Sequence, residues 1–241
     1  MNSSWTRLVW IWMKKEAACE LRAKHGLYAS LLFGFLAVAT VVFSTFDQRL
    51  NPSLQAAFLC VILVFGSLVA VPRLFIVEAD QGTFDLLRTL IPPGAAYAGK
   101  LLFAVFQLWV LAILTGAIFL VMSNAEVAHP LFLIMAVLLF TAGIAGALSL
   151  CSALVIGATN RWVLAGVIAM PLLFPMIFMG VGAVRYGFGS GSLQAGQSNL
   201  MAMLAYSVLM LVAGPLVIES VWDDRGDPVA SKTAPQNGER S

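Results

Sequence analysis

Charge is scarce in this sequence. Asp, Glu, Lys and Arg make up 11% of its 241 residues, against roughly a quarter in an average soluble domain. Hydrophobic residues make up 60%, and the mean hydropathy is +0.91. One globule cannot bury that much apolar surface, so the chain reads as an integral membrane protein. No Asp, Glu, Lys or Arg lies between Glu126 and Arg161, and no long apolar run has an ionisable side chain in its interior. Proton- and sodium-driven transporters carry such groups inside their spans, so energy for any movement is expected to come from outside the chain. The same scarcity leaves no Asp pair, H-E-x-x-H or Ser/His dyad for an intramembrane protease, and the chain is not expected to be an enzyme. Cysteine is sparse too. Cys19, Cys60 and Cys151 are widely spaced without a C-x-x-C pair, which argues against disulfide or zinc use.

What is present is long apolar runs. A bilayer core needs about 20 apolar residues per helix, and six segments qualify: Leu27–Phe46, Leu54–Val71, Leu101–Met122, Leu131–Ala158, Trp162–Val184 and Leu200–Ile218. A β-barrel would show short alternating strands instead. The expected fold is all-α and polytopic, with six transmembrane helices, an N-terminal amphipathic interfacial helix and a short cytoplasmic coupling helix. Residues 1–26 form the first unit, 27–222 the membrane domain, and 223–241 a disordered polar tail. The first apolar run starts behind a charged, Trp-bearing segment, so no cleavable signal peptide is expected.

Twelve of the fourteen Lys and Arg residues fall on one side of this topology, leaving Arg49 and Arg185 on the other. The positive-inside rule then puts both termini and the connection between spans two and three in the cytoplasm.

That connection, "PRLFIVEADQGTFDLLRTLIPPGAAYAGKL" from Pro72 to Leu101, is the most charged interior stretch. Gly94, Gly99 and Lys100 fit G-x-x-x-x-G-K, but Leu101 stands where a phosphate loop needs Ser or Thr for magnesium. Lys100 is instead expected to snorkel at the cytoplasmic end of the third span. Upstream, Thr83 suits a helix cap with Asp85 in the first turn. Phe84, Leu87 and Ile91 share one face, Gly82 permits a sharp turn, and Pro92–Pro93 ends the helix. A short amphipathic helix that docks a cytoplasmic partner fits this pattern; the alternative is a solvated loop.

Other features read more plainly. Trp5, Leu8, Val9 and Trp12 share a face of a basic N-terminal helix suited to the headgroup layer. Pro171 and Pro175, one turn apart in the fifth span, predict a kinked or broken helix. Ala142, Gly143, Gly146 and Ala147 allow close packing of the fourth span. "RYGFGSGSLQAGQSN", Arg185–Asn199, reads as an external connection. His25 and His129 at the span mouths are polar anchors or, alternatively, haem-iron ligands.

Together these features resemble the ABC-2-type exporter permeases. Within them, "RLFIVEADQGTFDLLRTLIPPGAAYAGKLL" is similar to the haem exporter B subunits of cytochrome c maturation, the CcmB family. Arg73, Phe75, Glu78, Gly82, Thr83, Leu86, Leu87, Pro92, Gly99 and Lys100 carry the likeness, with the paired prolines of "MPLLFPMIFMG" and the charged lead-in "KKEAACELRAK". Pro72 before the Arg and the longer polar tail depart from the family pattern.

The resemblance implies a permease subunit of the bacterial inner membrane with no firmly bound cofactor of its own. Haem would be the transported species, and ATP would act through a separate cytoplasmic ATPase, the A subunit. The implied partners are that subunit, the membrane subunits C and D, the periplasmic haem chaperone and membrane lipid, with a homodimer and a heteromer both open. Nucleic acid is not among them. Glu78, Gly82, Thr83, Phe84, Asp85, Leu87 and Arg88 are the expected ATPase-coupling residues, and Pro171 and Pro175 the conformational ones. An exporter of lipid, glycan or drug, or a scaffold without transport, are the alternatives. Reporter fusions at Asp224 and at Ser192 test the orientation. They are expected to report opposite sides of the membrane, and the same side for both refutes the topology.

Overall fold

The computed structural model describes residues 3–23, 25–45, 50–80, 93–155 and 160–224. Seven helices account for nearly all of them: α1 (Ser3–Ala23), α2 (His25–Ser44), α3 (Pro52–Asp80), α4 (Pro93–Met122), α5 (Pro130–Leu154), α6 (Arg161–Gly187) and α7 (Leu193–Asp224). Six of them, α2 to α7, are long and apolar enough to cross a membrane. Among the described residues there is no strand. In hydrocarbon every backbone polar group needs an internal partner, and helices supply it within one segment.

The ends of these helices follow local chemistry. Pro52, Pro93 and Pro130 stand at the starts of α3, α4 and α5, where the missing N–H of proline costs nothing. Asn51 accepts a 3.1 Å bond from the Ser53 N–H, capping α3. After α6, Gly189 (φ +88°) donates to the Tyr186 carbonyl at 2.9 Å, and Ser190 to that of Arg185 at 3.1 Å. This pair of bonds is a Schellman closure, and the left-handed residue it needs is a glycine. Most of Arg185–Asn199, expected as an external connection, is therefore helix, and the turn is only residues 188–192.

Two further expectations need correction. The second span does not stop at Val71. Its helix continues through Pro72 to Asp80, and the candidate span reaches Ile76 with Arg73 inside it. The sixth begins at Leu193, a full two turns before Leu200. The helix of the fourth ends at Leu154, and residues 156–158 of the expected span lie outside the described ones.

α3 and α5 form the centre of the bundle, and α2 and α7 lie at its periphery. α5 packs against α3, α4, α6 and α7, and its small residues make that possible. A Cβ on Gly143 would meet the Met176 methyl at 2.5 Å and the Ser207 hydroxyl at 2.8 Å. One on Gly146 would lie 2.9 Å from the Met210 Cβ. Close backbone approach is what binds helices where lipid removes the hydrophobic drive between them. The Ser207 hydroxyl adds a 3.2 Å bond to the Leu139 carbonyl.

Gly143→Leu is expected to destabilise the bundle by about 1–3 kcal/mol through overpacking. Gly166→Ala is the control, since nothing lies within 4 Å of its new Cβ, and it should be neutral or gain up to about 1 kcal/mol. Thermal unfolding of the two variants in the same detergent measures the difference.

Candidate functional site

The expected coupling stretch lies between α3 and α4. Glu78 falls in the last turn of α3, while Gly82, Thr83, Phe84, Asp85, Leu87 and Arg88 lie outside the described residues. Both ends of the stretch can be followed. The first two turns of α4, Pro93 to Lys100, are where it re-enters the bundle, and three other helices meet there.

Lys100 is the centre of that meeting, and it does not snorkel to water. Its side chain is only 6% exposed. The ammonium donates at 3.0 Å to Glu16 Oε1 on α1 and at 2.6 Å to the Leu74 carbonyl on α3. It also sits 5.6 Å from the centre of the Phe75 ring, within cation–π range. Glu16 is equally buried and receives Lys15 at 3.2 Å, and Lys15 in turn lies 4.3 Å over the Trp12 ring. Three helices thus share one buried ammonium, and none of the three can be shifted without stripping a charge or a carbonyl of its partner.

Packing around the clasp is as close as its polar core. A Cβ on Gly99 would lie 2.5 Å from that of Trp12 and 3.0 Å from the Val9 carbonyl, so α1 can rest on α4 only over a glycine. Val9, Ala95 and Ala98 form a small buried cluster, with Trp5 and Leu8 against it. Two residues before Gly99, Tyr97 packs on Phe75 with ring centres 5.6 Å apart and points its hydroxyl at Gly214 of α7. Farther along α1, Glu20 accepts a 2.7 Å bond from the Leu27 N–H, filling one of the open donors at the start of α2.

This geometry changes two readings. The face of α1 bearing Trp5, Leu8, Val9 and Trp12 is turned to protein, not to lipid headgroups. The near-match to a phosphate loop is a helix packed on three others, with its lysine committed to Glu16 and Leu74. Sequence reasoning missed Glu16 as a site residue. Its signal was there, because Glu16 follows Val9 and Trp12 at spacings of seven and four, which puts a carboxylate on the apolar face.

Pro171 and Pro175 are exposed on an unbroken α6, whose inward face carries Leu173 and Met176. Of the kinked or broken helix expected there, the break is absent and the helix runs on through both prolines. Each proline leaves a carbonyl of the preceding turn without its helical donor, and nearby the Tyr206 hydroxyl of α7 donates to the Leu172 carbonyl. His129 stands before α5 with its ring stacked on Tyr186 at 4.6 Å and its N–H bonded to the Gly187 carbonyl at 3.0 Å. A groove of about 340 Å³ lies beside it, lined by Phe132, Tyr186 and Leu193 among others. His25 opens α2. Cys60 and Cys151 are buried, Cys19 is exposed, and all three are free.

Breaking the buried pair from one side should be costly. Glu16→Ala is expected to lose roughly 3 kcal/mol of stability, because the buried Lys100 ammonium loses the carboxylate it donates to. Replacing both partners at once, Glu16→Leu with Lys100→Met, should recover most of that loss. Unfolding midpoints of the single and double variants decide whether the pair acts as a unit.

Comparison with curated proteins finds no match. A family model of the CcmB protein matches residues 7–218, nearly the whole of the described bundle, including α1 and its contact with α4. With six apolar spans and that match, the chain belongs to the CcmB family, the membrane permease subunits of haem export in cytochrome c maturation.

Proposed function

We propose that this chain is the subunit through which ATP hydrolysis by a separate cytoplasmic ATPase drives haem delivery, or release of the haem-loaded chaperone, in cytochrome c-type biogenesis. In this reading it sits in the bacterial inner membrane with both termini in the cytoplasm. Its partners are the A subunit, the membrane subunits C and D and the periplasmic chaperone. The segment Glu78–Ile91 receives the ATPase's movement.

The observation that carries this reading is the clasp at Lys100. A segment that transmits force must be tied firmly to what it moves. Here the helix leaving the segment is joined within two turns to α1 through Glu16, to α3 through Leu74 and to α7 through Tyr97 and Gly214. Movement of the segment would therefore reach four helices together. A carboxylate or His inside the spans would offer another source of energy, and the six apolar runs have none in their interiors, while Lys100 at the start of α4 donates to Glu16 and Leu74. Phe84 and Leu87 would act as buried apolar anchors in a groove of the ATPase. Glu78, Asp85 and Arg88 would set register at the rim. Pro171 and Pro175, on a helix packed against both α3 and α5, would let α6 bend as that movement passes.

Phe84→Asp puts an unpaired charge into the apolar contact. The ATPase should then fail to co-purify and cytochrome c should fail to mature, while the membrane protein still accumulates. Retained ATPase with normal cytochromes means that the segment does not couple.

A further inference from the structure

The two acids of α1 are both spent inward. Glu16 bonds Lys100 and Glu20 bonds the first turn of α2. With 3.6 residues per turn, both fall on the side that carries Val9 and Trp12. The opposite side, centred on Lys14, carries Arg7, Trp10, Ile11, Ala18, Leu21 and Arg22, and each of these is exposed. Trp10 is 54% exposed, Ile11 52% and Leu21 70%. The Lys14 ammonium lies 5.5 Å from the Trp10 ring centre, so charge and aromatic surface form one patch. No Asp or Glu falls within this arc.

We propose that this outer face of α1 is a binding surface for anionic phospholipid, in the leaflet at the N-terminal end of the bundle. Three observations argue for lipid. First, the face is basic throughout and interleaved with large apolar side chains, which is the pattern of helices lying at the boundary of headgroups and acyl chains. Second, α1 lies at the ends of two spans: Gly99 and Lys100 of α4 and Leu27 of α2 hold it there. The face thus lies beside the ends of two candidate spans, the level at which a bilayer has its headgroups. Third, a helix whose acids both face inward presents positive charge alone on its outer side, and each Lys or Arg near an anionic surface strengthens attachment by up to about fivefold. The buried clasp thus has a second consequence, because by turning Glu16 inward it keeps the outer face free of negative charge. This inference does not depend on which protein drives the transporter.

The test uses the full-length protein in phosphatidylcholine nanodiscs. Cys19→Ser with Ala18→Cys leaves one exposed thiol on the face, since Cys60 and Cys151 are buried, and it takes an environment-sensitive fluorophore. Brominated phosphatidylglycerol should quench that probe several-fold more strongly than the same fraction of brominated phosphatidylcholine. Arg7→Gln, Lys14→Gln and Arg22→Gln together should equalise the two, whereas Arg7→Lys with Arg22→Lys should keep the preference. Equal quenching in the parent protein overturns the proposal. So does a probe that neither lipid reaches, which would assign the face to a protein partner.

Discussion

The bundle depends on one buried ammonium. Lys100 enters an environment that penalises charge heavily, and it persists there because Glu16 and the Leu74 carbonyl both accept from it within 3.0 Å. Taking two charges out of water costs several kcal/mol per ion unless such partners are in place. The ion pair ties α4 to α1, and the carbonyl that shares the ammonium ties α4 to α3. Two apolar helices in lipid can slide with little loss. Helices joined by a desolvated charge cannot.

From that link the rest of this end of the molecule follows. Gly99 has no side chain because Trp12 must come within contact of the α4 backbone for Glu16 to reach Lys100. Phe75 and Tyr97 fill the space beneath, and Tyr97 reaches Gly214 on the far side. Toward the other end the bundle relies on close packing of small residues and on hydroxyls that donate to carbonyls of neighbouring helices, as with Tyr206 and Leu172 or Ser207 and Leu139. Those bonds are local and each joins only two helices. At the start of α4, by contrast, one ammonium joins three helices.

Hydropathy alone made the six spans and their all-helical character legible, because a bilayer admits few other solutions. The small residues of α5 were legible for the same reason. What escaped was whatever depended on a distant partner. Lys100 looks like a snorkelling end residue until Glu16, 84 positions earlier, is brought beside it. The run of apolar residues stops at Val71, yet the helix carries Pro72 and Arg73 on inside α3. The turn at residues 188–192 was over-read as a long connection because glycine and serine, read singly, look like loop whether or not a helix runs through them. The amphipathic character of α1 was correctly read, but its sides were not: hydrophobicity shows that a helix has two faces and is silent on which one meets protein.

The central claim is that α1 and the start of α4 move as one body with the segment between α3 and α4. Cysteines replacing Val9 and Ala95, which pack together, can be bridged with a short reducible reagent after the native cysteines are replaced. ATP turnover by the reconstituted permease–ATPase complex is then measured before bridging, after it, and after reduction. The account predicts that bridging leaves the permease-dependent turnover unchanged, since it fixes a pair that never separates. Loss of turnover on bridging, with recovery on reduction, would show that α1 and α4 part during the cycle and would contradict it.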